Sequence, residues 1–148
     1  MSKVKINKPI EHIPRFTEYN IRGDQLYSRI KALGFKVPMG ILDWQYYYTD
    51  LEGWGSVLWD LTFNSNLYKP NRFDCDNYAL QAMNECARKY GLNTLAAVVG
   101  DIPLGRHGFN MLFYGNGFML WEPNDGFPFS GGVFEIGDYG YQPELILV

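Results

Sequence analysis

The sequence predicts an α+β fold, with an N-terminal helical part followed by a central helix packed on an antiparallel sheet. Three observations carry it. Residues 75–90 repeat apolar side chains at helical spacing, and after Gly91 the pattern changes to period 2 or to continuous apolar runs. Gly115-Asn116-Gly117 then marks a tight hairpin connection between two such runs. At 148 residues the chain reads as one domain, 1–148, long enough to bury a real core.

Residues 1–20 read as an irregular arm, interrupted by Pro9 and Pro14, with His12 as a surface or packing residue. Residues 24–33 read as a short helix, because Leu26, Tyr27, Ile30 and Leu33 recur at helical spacing and Gly34 follows as a stop. Residues 37–40 form a turn. The aromatic run 41–59 holds Trp44, Tyr46, Tyr47, Tyr48, Trp54 and Trp59. It reads either as a core layer with a loop around Gly53 and Gly55, or as an apolar wall for a ligand. Residues 58–61 suit a strand or a helix end, and 64–66 a turn.

The central helix is the clearest element. Cys75, Ala79, Ala82 and Cys86 form a stripe that Tyr78, Met83 and Tyr90 widen, while Gln81, Glu85, Arg88 and Lys89 hold the other face. Asp74 is the expected N-cap and Gly91 the expected C′ residue. Strands are expected over 94–99, 108–114, 118–122, 133–136 and 145–148, with a loop over 101–106.

Composition excludes several classes. The net charge is -3 with no basic run, so no nucleic-acid partner is expected. No apolar stretch approaches the roughly 18 residues of a membrane span, and no signal peptide is read at the N-terminus. The expected location is cytoplasmic, or the host cytoplasm or a virus particle if the chain is virus-encoded. Two Cys are too few for a disulfide scaffold. On one helix they lie roughly 16 Å apart, against about 7 Å between the Cα atoms of a disulfide, so both are free thiols.

Of the two, Cys86 reads as a small buried hydrophobe. Cys75 stands at the helix N-terminus, where free N–H groups and the dipole favour a thiolate. Its neighbours Asp74 and Asp76 oppose that charge unless a cap, an Arg or a cation neutralises them. A nucleophilic Cys needs a base and a group that orients it. His107 is the only downstream His. Pairing Tyr114 with Phe118 across the turn puts His107 near position 125, within reach of Glu122, Asn124 and Asp125. The small Gly108 leaves room for a substrate or for the helix end. As oxyanion-hole donors, Gln45, Asn64 and Asn66 stand equal.

Asp74-Cys75-Asp76-Asn77-Tyr78-Ala79, the His107–Asn110 segment and Trp121-Glu122-Pro123-Asn124 together resemble the papain-like cysteine peptidase domain of the Marasmius agglutinin type, and related short bacterial and phage proteins. The resemblance spans about residues 73–126, the segment expected to form the catalytic core. It implies a papain-like/transglutaminase-like core, with Cys75 as nucleophile, His107 as base and Glu122 as orienting acid. It also implies dependence on Ca²⁺ or a similar hard cation, with Asp76, Asp74 and Asn124 as ligands. Carboxylate and amide oxygens suit such an ion. The resemblance does not extend to a lectin domain, because no sugar-binding repeat is present.

Two function classes follow. The first is a cysteine hydrolase, a peptidase or amidase with a Cys-His-Glu triad acting on a peptide or protein substrate; acyl transfer of the transglutaminase kind uses the same parts. The alternative is a catalytically inactive binding or structural module of the same fold, which uses its aromatic wall or only holds a cation.

Overall fold

The structure is a computed structural model and describes residues 14–130 and 132–148. His12 and the first 13 residues of the expected arm lie outside them. Residues 14–18 have no regular structure, but the arm ends sooner than expected. Strand β1 (Tyr19–Arg22) already pairs antiparallel with β2 (Gln45–Tyr48), so two short stretches without a clear period become a ribbon.

Helix α1 (Gly23–Ala32) follows β1 directly and buries Leu26 and Ile30. Gly34 takes φ +84 just beyond it, as a left-handed helix stop requires. Helix α2 (Leu51–Leu58) replaces the loop expected around Gly53 and Gly55. Asp50 caps it by accepting from Gly53 N at 2.8 Å, and Trp54 donates its indole N–H to Phe113 O at 2.9 Å. A cap and a buried aromatic anchor outweigh the helix cost of two glycines, about 1 kcal/mol each. A 3-10 turn, Trp59–Leu61, continues it. The aromatic run thus divides: Tyr46 and Trp54 are fully buried, whereas Trp44 and Trp59 are exposed.

Helix α3 (Cys75–Tyr90) has the expected bounds, with Asp74 as N-cap and Gly91 at φ 68 as the left-handed residue after its last turn. Asn77 Oδ1 accepts from Asp74 N at 3.1 Å, one half of a capping box. The helix buries Tyr78, Ala79, Ala82 and Cys86. Strands β3 (Leu95–Ile102), β4 (Gly105–Phe113), β5 (Phe118–Trp121), β6 (Val133–Phe134) and β7 (Gln142–Leu147) form an antiparallel sheet of order β6-β5-β4-β3-β7. The loop expected over 101–106 shrinks to residues 103–104, because Asp101 and Ile102 pair with Arg106 and Gly105.

The sheet is covered on both faces. Along β4, Phe109, Met111 and Phe113 enter one core with Leu26, Ile30, Tyr46 and Tyr141. Leu112 enters the other, with Trp54, Ala82, Cys86 and Trp121. Burial on both sides explains why the strands read as near-continuous apolar runs. Asn110, buried on the helix side, donates its amide to Ala79 O and Ala96 O, each at 3.0 Å, and so ties α3 to the sheet. Among the described residues no helix is long and apolar enough to cross a membrane.

Candidate active site

The geometry of the site begins with the hairpin. Tyr114 N donates to Gly117 O at 3.1 Å, so only Gly115 and Asn116 lie in the loop, and Gly115 takes φ +101. Phe113, not Tyr114, therefore pairs with Phe118, and the register differs by one residue from the expected pairing. The three-residue Gly-Asn-Gly reading fails because a two-residue loop closes the ladder more tightly. Asn110 pairs with Trp121, and continuing that register brings Glu122 level with Phe109.

Of the three residues expected near His107, Glu122 takes the place beside it. His107 Nε2 and Glu122 Oε2 are 2.7 Å apart, and both side chains are almost fully buried. Asp125 is turned away and accepts from Ser65 N at 2.6 Å.

Cys75 meets His107 from the head of α3. The thiol lies beside the imidazole and the Gly108 backbone, and both favour its ionised form. With Nε2 held by Glu122, Nδ1 is the ring nitrogen left for the sulfur. Gly108 makes this approach possible. A Cβ there would stand 2.8 Å from Asp76 N and Cα and 2.9 Å from Cys75 C. The room seen in the sequence is therefore for the helix end.

The electrostatics reinforce the contact. The Cys75 thiol is held below its usual range, chiefly by the hydrogen bond to His107, against the effect of burial; Asp74 opposes this with its charge. Burial of the ring works against a charge on His107, yet Cys75 and Glu122 together raise it to about 9. Both shifts act in the direction of a thiolate–imidazolium pair. Cys86, by contrast, is pushed up to about 12 by burial.

The acids beside Cys75 act on each other. Asp74 and Asp76 hydrogen-bond each other, which lowers Asp74 and raises Asp76. A proton is therefore taken up at Asp76 before Asp74. The ligating atoms of Asp74, Cys75 and Asp76 all lie within 4.8 Å of one another. Two carboxylates this close are an oxygen donor set that suits a hard cation. Asn124 uses its Oδ1 to accept from Gly126 N at 2.9 Å and its own N–H to donate to Glu122 Oε1 at 3.1 Å.

Of the three expected oxyanion donors, the Gln45 and Asn64 side chains have hydrogen-bond partners of their own. Gln45 donates to Asn20 Oδ1 within the β1–β2 ribbon. Asn64 caps a 3-10 turn through Asn66 N and accepts from Tyr78 Oη through its carbonyl.

Sequence reasoning missed Tyr141, which donates its hydroxyl to Glu122 Oε2 at 2.8 Å, and Phe127, whose ring lies 5.1 Å from that of His107. Neither stands in a motif, and both come from irregular segments, so no periodic signal marks them. An apolar cavity of about 280 Å³ adjoins the helix head, lined by Pro38, Met39, Asp76, Leu80, Val99 and Leu147 among others.

No family model and no curated protein matches this sequence. Among solved structures the chain is similar to one described as the PSL1a-E64 complex, E64 being a cysteine protease inhibitor. The TM-score is 0.68 at 16% sequence identity, over 87% of this chain and 51% of that one. The chain therefore spans about half the length of that protein. At this identity the likeness establishes the shared fold alone, a mixed α+β architecture.

Proposed function

We propose that this protein is a cysteine hydrolase, a peptidase or amidase that works through an acyl-enzyme on Cys75 and is akin to the papain-like peptidase domain of the Marasmius agglutinin type. The observation that carries the reading is a helix-head thiol beside His107, whose Nε2 stands 2.7 Å from the buried Glu122 carboxylate. The thiolate attacks the carbonyl carbon of a peptide or protein substrate, and a C–S bond forms. The developing oxyanion is stabilised by N–H groups at the head of α3. His107 then gives its Nδ1 proton to the leaving amine as the C–N bond breaks. Water, deprotonated by His107, next releases the acid and restores the thiol; an amine in its place gives acyl transfer. The apolar cavity beside Asp76 would receive a substrate side chain.

Cys75→Ala is expected to reduce hydrolysis of denatured casein by roughly four orders of magnitude or more. Iodoacetamide at pH 7 is expected to label Cys75 far ahead of Cys86, read by peptide mass spectrometry. Equal labelling of the two thiols, or hydrolysis unchanged in Cys75→Ala, would end the proposal.

A hard divalent cation such as Ca²⁺ belongs to the same reading, held by Asp74 and Asp76, with Asn124 as a third candidate ligand. It would take up the charge that opposes the thiolate. Millimolar Ca²⁺ is expected to raise the melting midpoint by several degrees over EDTA, and identical midpoints remove the metal. A second reading, an inactive binding module, draws on the exposed indoles of Trp44 and Trp59, which are 92% and 73% accessible. Selective labelling of Cys75 decides against it.

A further inference from the structure

We propose that Tyr141 is a positioning residue of this site: its hydroxyl fixes the Glu122 carboxylate in the orientation that holds His107 against Cys75. The inference rests on the hydrolase reading and deepens it.

The argument starts from what a buried carboxylate requires. Glu122 is 1% exposed, so donors from the protein must satisfy its oxygens. Asn124 N serves Oε1 at 3.1 Å, while His107 Nε2 and the Tyr141 hydroxyl converge on Oε2 at 2.7 and 2.8 Å. Two donors on one oxygen fix the rotation of the carboxylate. Without the hydroxyl, Oε2 is held only by His107, the group that it has to position.

Packing does not account for a tyrosine at this position. The ring sits among Phe109, Phe129 and Phe134 in edge-on contacts with centroids 4.9–5.4 Å apart, a slot that phenylalanine would fill as well. The hydroxyl is the one polar atom of that ring, and it is aimed at Glu122. Burial and the Glu122 charge push the phenol well above its usual range, so it remains a donor at every working pH.

Tyr141 is also well placed to be rigid. Its N–H donates to Asp138 O at 3.0 Å and its carbonyl accepts from Gly137 N at 3.0 Å, which pins the start of β7. Its ring meets the His107 ring at 87° with centroids 5.9 Å apart, so it limits the swing of the imidazole as well. β7 lies beyond β3 in the sheet, on the far side from β5. The residue that orients the acid after β5 is thus supplied from across two strands.

The test reads the rate at which iodoacetamide labels Cys75 at pH 7, with Cys86 resolved by mass spectrometry. Tyr141→Phe is expected to slow labelling about tenfold, the effect of one hydrogen bond to a charged group, with a melting midpoint within a few degrees of wild type. In a Glu122→Gln background the same substitution is expected to change the rate less than twofold, because Tyr141 acts through Glu122. Phe129→Leu, which loosens the ring packing and keeps the hydroxyl, is expected to lower the midpoint and leave the rate within twofold. Wild-type labelling in Tyr141→Phe overturns the inference. So does an equal loss in Phe129→Leu, or a full tenfold loss in the Glu122→Gln background. If Tyr141→Phe does not fold, the Phe129→Leu rate decides alone. If wild-type Cys75 labels no faster than in His107→Ala, the hydrolase reading fails and this inference with it.

Discussion

Gly108→Ala is expected to cost about 3 kcal/mol, the upper end for overpacking, and to lower the melting midpoint by roughly 6–12 °C. The added methyl would meet Asp76 N and Cα at 2.8 Å and Cys75 C at 2.9 Å. These are backbone atoms of the first helical turn, so no rotamer change relieves the clash. Either α3 moves off β4 or the strand bends. In both cases Cys75 moves away from the Gly108 backbone and from His107. Calorimetry and iodoacetamide labelling check this together: the midpoint falls, and Cys75 becomes an ordinary thiol. An unchanged midpoint with wild-type labelling would mean that helix and strand do not meet as closely as described.

Glu122→Ala is the second large effect. It leaves a buried imidazole, the Tyr141 hydroxyl and Asn124 N without their shared acceptor. Breaking a buried pair in this way costs about 3–5 kcal/mol. The pH dependence gives it a signature. His107 titrates at about 9 in the folded chain, above its ordinary 6.5. The stability it contributes is therefore fully present below about 6.5 and is lost as pH rises through about 9. The deficit of Glu122→Ala is expected to be largest near pH 6 and to shrink above pH 9. Chemical denaturation across that range measures it, and a deficit that grows with pH would contradict the assignment.

The legible parts of this chain are those where one periodicity runs unopposed. Helix α3 could be bounded to the residue, because its stripe, its cap at Asp74 and its stop at Gly91 agree. The five strands could be found but not delimited, since burial on both faces removes the alternation that marks an end. Helix α2 was missed because Gly53 and Gly55 outweigh, on propensity alone, a cap and an indole anchor that only the folded chain provides. The hairpin register was off by one because Gly-Asn-Gly admits both a two- and a three-residue loop. Cys75, His107 and Glu122 could be named from order and residue type. Tyr141 could not, since nothing local to it marks a partner 19 positions earlier in the chain.

The placement of the two thiols on one helix has a kinetic consequence. Cys86 is shielded once α3 packs on the sheet and Trp54 covers it, contacts that need only part of the chain. Cys75 gains its reactivity when His107, Glu122 and the β7 corner have all closed around it. Those contacts must all be in place at once, whereas the core around Cys86 shields it without them. Pulse alkylation during refolding therefore reads two clocks from one protein. Loss of labelling at Cys86 times the core, and the rise in labelling at Cys75 times the completed topology.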